Sequence, residues 1–302
     1  MSRLLTAGIS GTLLALSVIA SAAPKGGGET DPSLPALLEP FVHYRVTYFS
    51  LPEEGATNIL LRDVNKDGLA VGRYETPDGY RRAVLADSDG NIEDLNGVFN
   101  KALAAYPGWR FDAAYCINAN GQVAGTLVPN EQARSSTSPD VMIIRGDLYA
   151  DPSSITVVDR VFETGVSSIR DMNEAGDMLV SLAPYGGEGM HWLYRSPEYL
   201  AEQIEGPEGA EDFSVGYLNG AGQISMVAFF NERYYFNRKR YEDRWAHHVF
   251  VRESDGSLSD DLGYGPGSWW VCPISEDGVV YNPSNGAAST QSTQGIIHQL
   301  DD

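Results

Sequence analysis

The chain has 302 residues, with 41 acidic side chains against 21 lysines and arginines, and its formal net charge at pH 7 is −20. That balance argues against nucleic-acid binding, which depends on basic surfaces that neutralise phosphates. It fits a soluble protein in a salty or metal-rich medium, or one that meets a cationic partner.

The first 22 residues have the features of a signal peptide. Arg3 supplies a positive charge, an apolar run extends from Leu4 to Ala20, and residues 20–22 match the small-x-small cleavage pattern. A transmembrane anchor is the weaker interpretation, because the apolar run is short and has no basic flank after it. We expect residues 23–42 to be a linker. The mature protein is then periplasmic or extracellular, with no membrane span after cleavage.

Residues 43–302 repeat one unit five times. The template is an apolar residue, Asn, two free positions, Gly and a short apolar run. It occurs at Asn65, Asn118, Asn173 and Asn219, and once more with Ser275 in place of Asn. Successive copies are 53, 55, 46 and 56 residues apart, which suits a four-stranded blade, whereas solenoid repeats are shorter.

We therefore predict a single all-β domain, a five-bladed β-propeller of four-stranded blades. The blades cover about residues 56–95, 112–159, 165–205, 211–262 and 268–302. Each Asn-x-x-Gly step is predicted to be a tight turn, since Asn bonds the following backbone and Gly tolerates positive φ. The fifth repeat has little room for a fourth strand. A strand at residues 43–51 is predicted to complete that blade and close the ring, which removes an open sheet edge.

Three motifs carry a resemblance to a known family. Residues 117–125 read Ile-Asn-Ala-Asn-Gly-Gln-Val-Ala-Gly, residues 191–194 and 248–251 are looser matches to a His-Ala-Phe-Leu-Trp motif, and residues 90–95 end in Asp-Leu. The chain resembles the HAF-repeat extracellular proteins of bacteria over about residues 43–302. The resemblance implies the repeat fold and export. That family carries no agreed activity, so it transfers no catalytic residue.

Two groups of residues resemble metal ligands. Residues 63–68 begin like a calcium loop, Asp-x-Asn-x-Asp-Gly, but the twelfth position holds Tyr74 where a bidentate Glu is needed. A plain hairpin turn is therefore favoured over calcium. His191 and His248 occupy equivalent third-strand positions, His247 is adjacent, and no further zinc ligand is evident. We predict no bound metal and no cofactor.

The residues two and three positions before each Asn form a candidate lining for a central channel. These are Arg62, Asp63, Tyr115, Arg170 and Asp171. The Arg-Asp pairs of repeats one and three could hold a polar ligand or ion. They could also be structural, neutralising each other or bonding neighbouring strands.

The two cysteines, at positions 116 and 272, occupy different positions in their repeats, so two buried thiols are favoured over a disulfide.

The long links predict the principal binding site. Links between strands two and three, and between blades, emerge on one face of a propeller, which we call the long-link face. Residues 227–247 form the longest link and are rich in aromatic and basic side chains, a combination used to recognise sugars, peptides and anionic polymers. The candidate ligand-binding residues are Arg233, Tyr235, Arg238, Arg240, Tyr241 and Trp245, with Trp109 on the link at residues 96–112.

The sequence contains no Gly-x-Ser-x-Gly, His-Glu-x-x-His or phosphate-loop motif. We predict an exported, non-catalytic binding or scaffold module whose ligand, a carbohydrate or a protein, contacts the long-link face. The main alternative is a secreted, glycosidase-like hydrolase with carboxylates at the channel mouth. A purely structural envelope protein is the third hypothesis.

Overall fold

The computed structural model describes residues 5–7, 14–18, 44–48, 52–130, 140–162, 167–182, 190–237, 240–262, 273–275, 278, 280–282 and 296–298. Within these ranges the protein is all-β and contains five antiparallel sheets of three or four strands, one of them at the N-terminus, and one two-stranded sheet. The predicted all-β class is confirmed. The predicted linker at 23–42 lies outside the described residues. Among the described residues, no helix has the length and apolar character needed to cross a membrane.

Sheets one to three are four-stranded meanders, each made by one repeat. Sheet one contains β4 (Thr57–Val64), β5 (Ala70–Glu75), β6 (Arg81–Ala86) and β7 (Ile92–Asp94). Sheet two contains β8 (Trp109–Ile117), β9 (Gln122–Pro129), β10 (Asp140–Asp147) and β11 (Ile155–Phe162). Sheet three contains β12 (Ser167–Met172), β13 (Met178–Leu182), β14 (Met190–Arg195) and β15 (Leu200–Ile204).

Sheet four differs from the prediction. It contains β16 (Asp212–Leu218), β17 (Ile224–Asn237) and β18 (Arg240–Arg252), and the β17–β18 pairing continues to Asn237 and Arg240. The predicted link at 227–247 is therefore the outer part of a long hairpin, because its many aromatic residues favour extended backbone. The predicted fourth strand runs beside β18: the N–H groups of Ser259 and Leu262 donate to β18 carbonyls at 2.8 and 2.9 Å.

The two ends of the chain carry the remaining strands. Near the C-terminus β19 (Val280–Asn282) pairs with β20 (Ile296–His298). At the N-terminus β1 (Leu5–Ala7) pairs with β2 (Leu14–Val18), and β2 pairs with β3 (Tyr44–Tyr48). The strand expected to complete the fifth blade is thus paired with the predicted signal peptide, whose apolar run offers an extended partner in the full-length chain.

The link between sheets one and two also differs from the loop that we predicted. It contains two short helices, α1 (Leu95–Val98) and α2 (Asn100–Leu103). The carboxylate of Asp94 caps α1 by accepting the N–H of Asn96 at 2.8 Å. Phe99, between the helices, is fully buried and packs 6.0 Å from the ring of Phe111. Phe99 therefore belongs to the core.

The apolar core lies between successive sheets. The first strands contact one another in series, β4 with β8, β8 with β12 and β12 with β16. Residues from both neighbours fill each interface, such as Val71 with Leu127 and Val180 with Ile143. On the opposite face of sheet one, Leu61 and the rest of a second apolar group are also buried. Sheet one is therefore covered on both faces.

Cys116 lies in the core between sheets two and three as a free, buried thiol. Burial raises the pKa of this thiol well above its ordinary value, with the Asp63 and Asp171 carboxylates adding to the shift. Cys272 lies outside the described residues. The described part of the chain thus gives Cys116 the role of a small apolar side chain.

A β-bulge recurs three positions before the repeat Asn. In sheet one, Leu61 pairs with Gly72 and Asp63 with Val71, so Arg62 is left out of the register. The same shift leaves out Tyr115 in β8 and Arg170 in β12, and a wider irregularity interrupts β16 at residues 216–217. A bulge bends its strand and redirects the extra side chain. The side chain at this one position therefore points in a different direction from those of its neighbours in the strand.

Candidate functional site

The Asn of each repeat closes the predicted turn. The side-chain oxygen of Asn118 accepts the N–H groups of Asn120 and Gln122 at 3.1 and 3.0 Å. The turn glycines all have positive φ, between 73° and 86°, at positions 68, 121, 176, 222 and 278. These bonds are the ones expected of an Asn-x-x-Gly turn.

The amide nitrogen of the same Asn has a second role that the sequence reasoning missed. It donates to the backbone carbonyl of the equivalent residue in the next repeat. The four distances are 3.3 Å from Asn65 to Asn118, 3.1 Å from Asn118 to Asn173, 3.2 Å from Asn173 to Asn219 and 3.0 Å from Asn219 to Ser275. We call this series the Asn ladder. It ties five repeats together on the face that carries their turns, and the recurrence of one residue type was the signal for it.

The carboxylates of Asp63 and Asp171 join neighbouring sheets in the same region. One oxygen of Asp63 accepts the N–H of Ile117 at 2.8 Å, and one oxygen of Asp171 accepts the N–H of Leu218 at 2.7 Å. Their other oxygens accept the N–H of the next residue at 2.8 and 2.9 Å. Burial raises the pKa of Asp63, and the two backbone bonds oppose that shift. Both aspartates therefore point to the backbone of the following sheet.

The oxygens of the suspected calcium loop are engaged in the turn. Asn65 accepts the N–H groups of Asp67 and Leu69, both at 3.0 Å, and Asp67 accepts the hydroxyl of Tyr149 at 2.9 Å. Together with the bonds of Asp63, these contacts describe a hairpin turn. The residues that the structure describes contain no group of three or more His, Cys, Asp or Glu side chains placed to hold a metal ion.

The histidines do not converge. His191 is buried, and its Nε2 lies 3.1 Å from a backbone carbonyl of β16, so Nε2 carries the proton and Nδ1 accepts the Ser181 hydroxyl at 2.8 Å. Burial lowers the pKa of His191. His248 lies between two carboxylates, Glu232 at 2.9 Å and Asp261 at 2.5 Å. Each imidazole is thus satisfied within its own part of the fold.

The bulged side chains of β4, β8 and β12 meet beside Arg73 of β5. The Arg62 guanidinium lies 4.9 Å from the ring centroid of Tyr115. Burial lowers the pKa of Arg73, and repulsion from Arg81 and Arg62 lowers it further. Burial and repulsion from Arg62 lower the pKa of Arg170 in the same way. We call Arg62, Arg73 and Arg170 the inner arginine cluster.

The inner arginine cluster has few partners of opposite charge. None of its members forms an ion pair within the described ranges, although Arg170 donates to the Ser181 hydroxyl at 3.0 Å. Tyr115 and, to a smaller extent, Asp112 oppose the lowering of the Arg73 pKa. The pKa of Asp112 is itself raised by burial and lowered by Arg110, Arg81 and Arg73. The predicted channel residues are therefore divided: the arginines and Tyr115 come together, and the aspartates bond neighbouring backbone.

A cleft of about 540 Å³ opens where the links of repeats one and two meet. We call it the long-link cleft. Its lining comes from the turn between β5 and β6, the α1–α2 link and the ends of β8 and β9. The lining residues are Asp78, Tyr80, Arg82, Asn96, Asn100, Leu103, Ala104, Trp109, Arg110 and Asn130.

Two guanidinium groups hold the aromatic rings of this cleft. Arg110 lies 5.0 Å from the ring centroid of Tyr80 and donates to the carbonyls of Pro129 and Asn130 at 2.6 and 2.9 Å. Arg160 lies 5.2 Å from the ring centroid of Trp109. Within the described part of the chain, no hydrogen bond engages the side-chain amides of Asn100 or Asn130. The cleft thus combines fixed aromatic rings with available polar groups.

The residues predicted on the long hairpin are only partly described. Arg233 is exposed, and Trp245 is 60% exposed. Tyr235, Arg240 and Tyr241 lie within β17 or β18. Their side chains are outside the described set, as is the whole of Arg238. The structure places Trp109 in the long-link cleft of sheets one and two, whereas the hairpin residues belong to sheet four.

Comparison with known proteins finds only distant structural similarity. No family model and no curated protein matches the chain. Two structures of prolyl oligopeptidase B from Galerina marginata, bound to 35mer and 25mer substrates, give TM-scores of 0.47 and 0.45 at 10% and 9% identity. The alignments cover 99% and 91% of this chain but 41% and 44% of those chains. This chain therefore spans less than half of their length.

A third solved structure, a gluconolactonase from Xanthomonas campestris, gives a TM-score of 0.34 at 13% identity and covers 75% of this chain and 83% of that chain. These scores and identities transfer neither a substrate nor a catalytic residue.

Proposed function

We propose that the protein is an exported, non-catalytic binding module that holds a carbohydrate in the long-link cleft. The observation that carries this proposal is the pairing of the fixed rings of Tyr80 and Trp109 with the amides of Asn100 and Asn130. A sugar ring offers an apolar face to an aromatic ring and hydroxyl groups to amides and carboxylates. A volume of about 540 Å³ lies within the range of small-ligand sites.

Pre-organisation favours the long-link cleft over the hairpin as the primary site. Arg110 is buried and stacked on Tyr80, and its bonds to backbone carbonyls fix the wall of the cleft. A pre-organised site loses little side-chain entropy when it binds a ligand. Trp245 presents an exposed ring on sheet four, and under this proposal it extends the contact area for a larger glycan or a protein ligand.

The proposal includes a closed, five-bladed propeller in the mature protein. The Asn ladder, which reaches Ser275, and the two buried faces of sheet one support it. Removal of residues 1–22 deletes β1 and β2, so the edge of β3 becomes available to the β19–β20 pair. Export and membership of the HAF-repeat proteins rest on the sequence motifs and remain part of the proposal.

A glycosidase-like hydrolase is the second candidate. Asp112 favours it, because burial raises the pKa of this carboxyl and a general acid benefits from such a shift. Hydrolysis needs a second carboxylate beside the first. Asp63 and Asp171, the other inner carboxylates predicted from the sequence, accept backbone N–H groups on both oxygens. Binding without catalysis is therefore the better supported function.

The test is capture on a glycan array by residues 23–302, followed by calorimetry with each glycan that binds. Trp109→Ala and Asn100→Ala are expected to weaken binding about tenfold or more, since each removes a contact worth about 1–2 kcal/mol. Trp245→Ala is the matched control, and its affinity for a small glycan is expected to be unchanged.

Melting curves separate loss of binding from loss of folding, because Asn100 is exposed and its truncation leaves the core intact. Capture lost only in Trp245→Ala would move the site to the hairpin. Absence of any glycan ligand would contradict the proposal. Cleavage of a bound glycan, abolished by Asp112→Asn, would instead establish the hydrolase.

A further inference from the structure

Two members of the inner arginine cluster occupy the same irregular position of their repeats. Arg62 and Arg170 both occupy the bulge position, and Tyr115 occupies it between them in sequence. A bulge redirects a side chain at the expense of ladder hydrogen bonds, and bulges are over-represented near functional sites. Strands β4 and β5 of sheet one and β12 of sheet three thus each contribute a guanidinium group to this region.

The charges in this region are unbalanced. Burial is the main cause of the lowered pKa values of Arg73 and Arg170; repulsion from Arg81 and Arg62 adds to it at Arg73, and repulsion from Arg62 adds to it at Arg170. The aspartates next to Arg62 and Arg170 in sequence have both oxygens bonded to backbone N–H groups. Asp112 is shared with Arg110 at 3.6 Å. Within the described residues, positive charge is therefore in excess around Arg62 and Arg170, which are exposed, and Arg73, which is half-buried, although the net charge of the protein is −20.

The chemistry of these side chains selects a class of ligand. Guanidinium is always charged and offers several N–H donors in a fixed plane, which matches the oxygens of carboxylate and phosphate. Burial raises the pKa of Tyr115, so its hydroxyl stays protonated at neutral pH. A bound oxyanion offsets the repulsion that Arg62 exerts on Arg73 and on Arg170.

We propose that Arg62, Arg73 and Arg170 form a binding site for a small oxyanion, the carboxylate or phosphate group of a small molecule. The site is separate from the long-link cleft, and it stands whether or not the cleft binds sugar. Arg62 and Arg170 bind the anion directly. Arg73, on the second strand of sheet one, adds to the positive electrostatic potential at the site. The ring of Tyr115 holds the guanidinium of Arg62 in place.

The experiment is thermal denaturation of residues 23–302 in phosphate, sulfate, acetate, malonate or citrate, with sodium chloride holding the ionic strength constant. A saturating ligand is expected to raise Tm by about 5 °C or more, since binding to the folded state stabilises it by mass action. The separate carboxylate and phosphate arms identify the preferred oxyanion.

Arg62→Gln is expected to weaken binding of the best anion at least about tenfold, while the Tm without ligand stays the same or rises. Arg62→Lys, which keeps the charge but loses the planar donor fork, is expected to fall between Gln and the parent. Lys66→Gln is the matched control, because it removes one positive charge from the exposed turn of the same repeat. It should bind like the parent.

Two results would overturn the proposal. One is that no carboxylate, phosphate or sulfate raises Tm beyond the chloride control. The other is that Arg62→Gln melts several degrees lower without ligand and yet binds anion as the parent does, which would make the cluster structural. Trp109→Ala is expected to retain the anion response, so failure of the sugar site is distinguishable from failure of this one.

Discussion

The Asn ladder and the inner arginine cluster lie a few residues apart in the same strands but are built in opposite ways. In repeat one, Asn65 is buried, its side-chain oxygen accepts two N–H groups, and its amide crosses to the next sheet. Arg62, three residues earlier, contacts a tyrosine ring and forms no ion pair in the described part of the chain. One position is fully satisfied within the protein, and the other is left with donors available.

The two positions differ because the Asn position is required for folding, whereas the bulge position is available for function. Residues that bond the next sheet recur because each interface needs them, and polar groups that are buried must find partners. The bulge position is under no such requirement, and it holds Arg62, Tyr115, Arg170 and a glycine in sheets one to four. A protein tolerates unsatisfied or repelling groups mainly where they serve a function.

The largest expected effect is on the Asn ladder. Asn118→Ala removes a side chain that accepts two N–H groups and donates to the carbonyl of Asn173. Because the abandoned groups are buried, we expect the free energy of unfolding to fall by about 3 kcal/mol. Urea denaturation measures the change. Asn91→Ala, in the exposed turn that Asp87 closes, is the control and should cost less than about 1 kcal/mol. Equal losses in the two variants would contradict a special role for the ladder.

The next effect contrasts two adjacent residues. Asp63→Ala leaves the N–H groups of Val64 and Ile117 without their acceptor, and we expect a loss of about 2 kcal/mol. Arg62→Gln is expected to change the free energy of unfolding by less than about 0.5 kcal/mol, because it removes a repelling charge and no ion pair. Both values come from the same urea titrations. A larger loss for Arg62→Gln than for Asp63→Ala would reverse the comparison.

The sequence predicted the fold better than the site, for physical reasons. The Asn-x-x-Gly turns and the alternating strands are local, and local hydrogen bonding and side-chain period decide them. The meanders of sheets one to three follow from that local pattern. The crossing bond from Asn118 to Asn173 depends on the packing of one sheet on the next, so no single repeat predicts it. The partner of β3 also depends on which distant edge is free, and in this chain that edge is β2.

The candidate site shows the same limit. The positions of Arg62, Tyr115 and Arg170 in the repeat predicted that they share a lining, and the structure brings them together. The sequence does not show that their neighbouring aspartates turn toward backbone N–H groups, since that depends on the bulge. The long-link cleft was also missed except for Trp109, because its residues come from four separate segments.

A smaller effect should appear in the pH dependence of stability. Burial raises the pKa of Asp112 in the folded state above its ordinary value, so the folded state binds a proton more readily than the unfolded state. Relative to Asp112→Asn, the parent should therefore gain stability as pH falls through the raised pKa toward the ordinary value near 3.8. Urea titrations of both proteins from pH 7 to pH 4 measure the difference. A difference that grows in the opposite direction would mean that Arg110, Arg81 and Arg73 outweigh burial.

The smallest effect tests whether the ladder closes on itself. Repeat five carries Ser275 where the other four repeats carry the Asn whose amide crosses to the next repeat. If blades five and one are neighbours, Ser275→Asn places an amide donor near the carbonyl of Asn65 and should stabilise residues 23–302 by about 1 kcal/mol. The control is the same substitution in residues 52–302, which lack β3. A gain in the longer chain alone would mean that β3 positions repeat five for closure. No gain in either chain would leave the Asn65 carbonyl out of reach, and the sheets would then form an open arc.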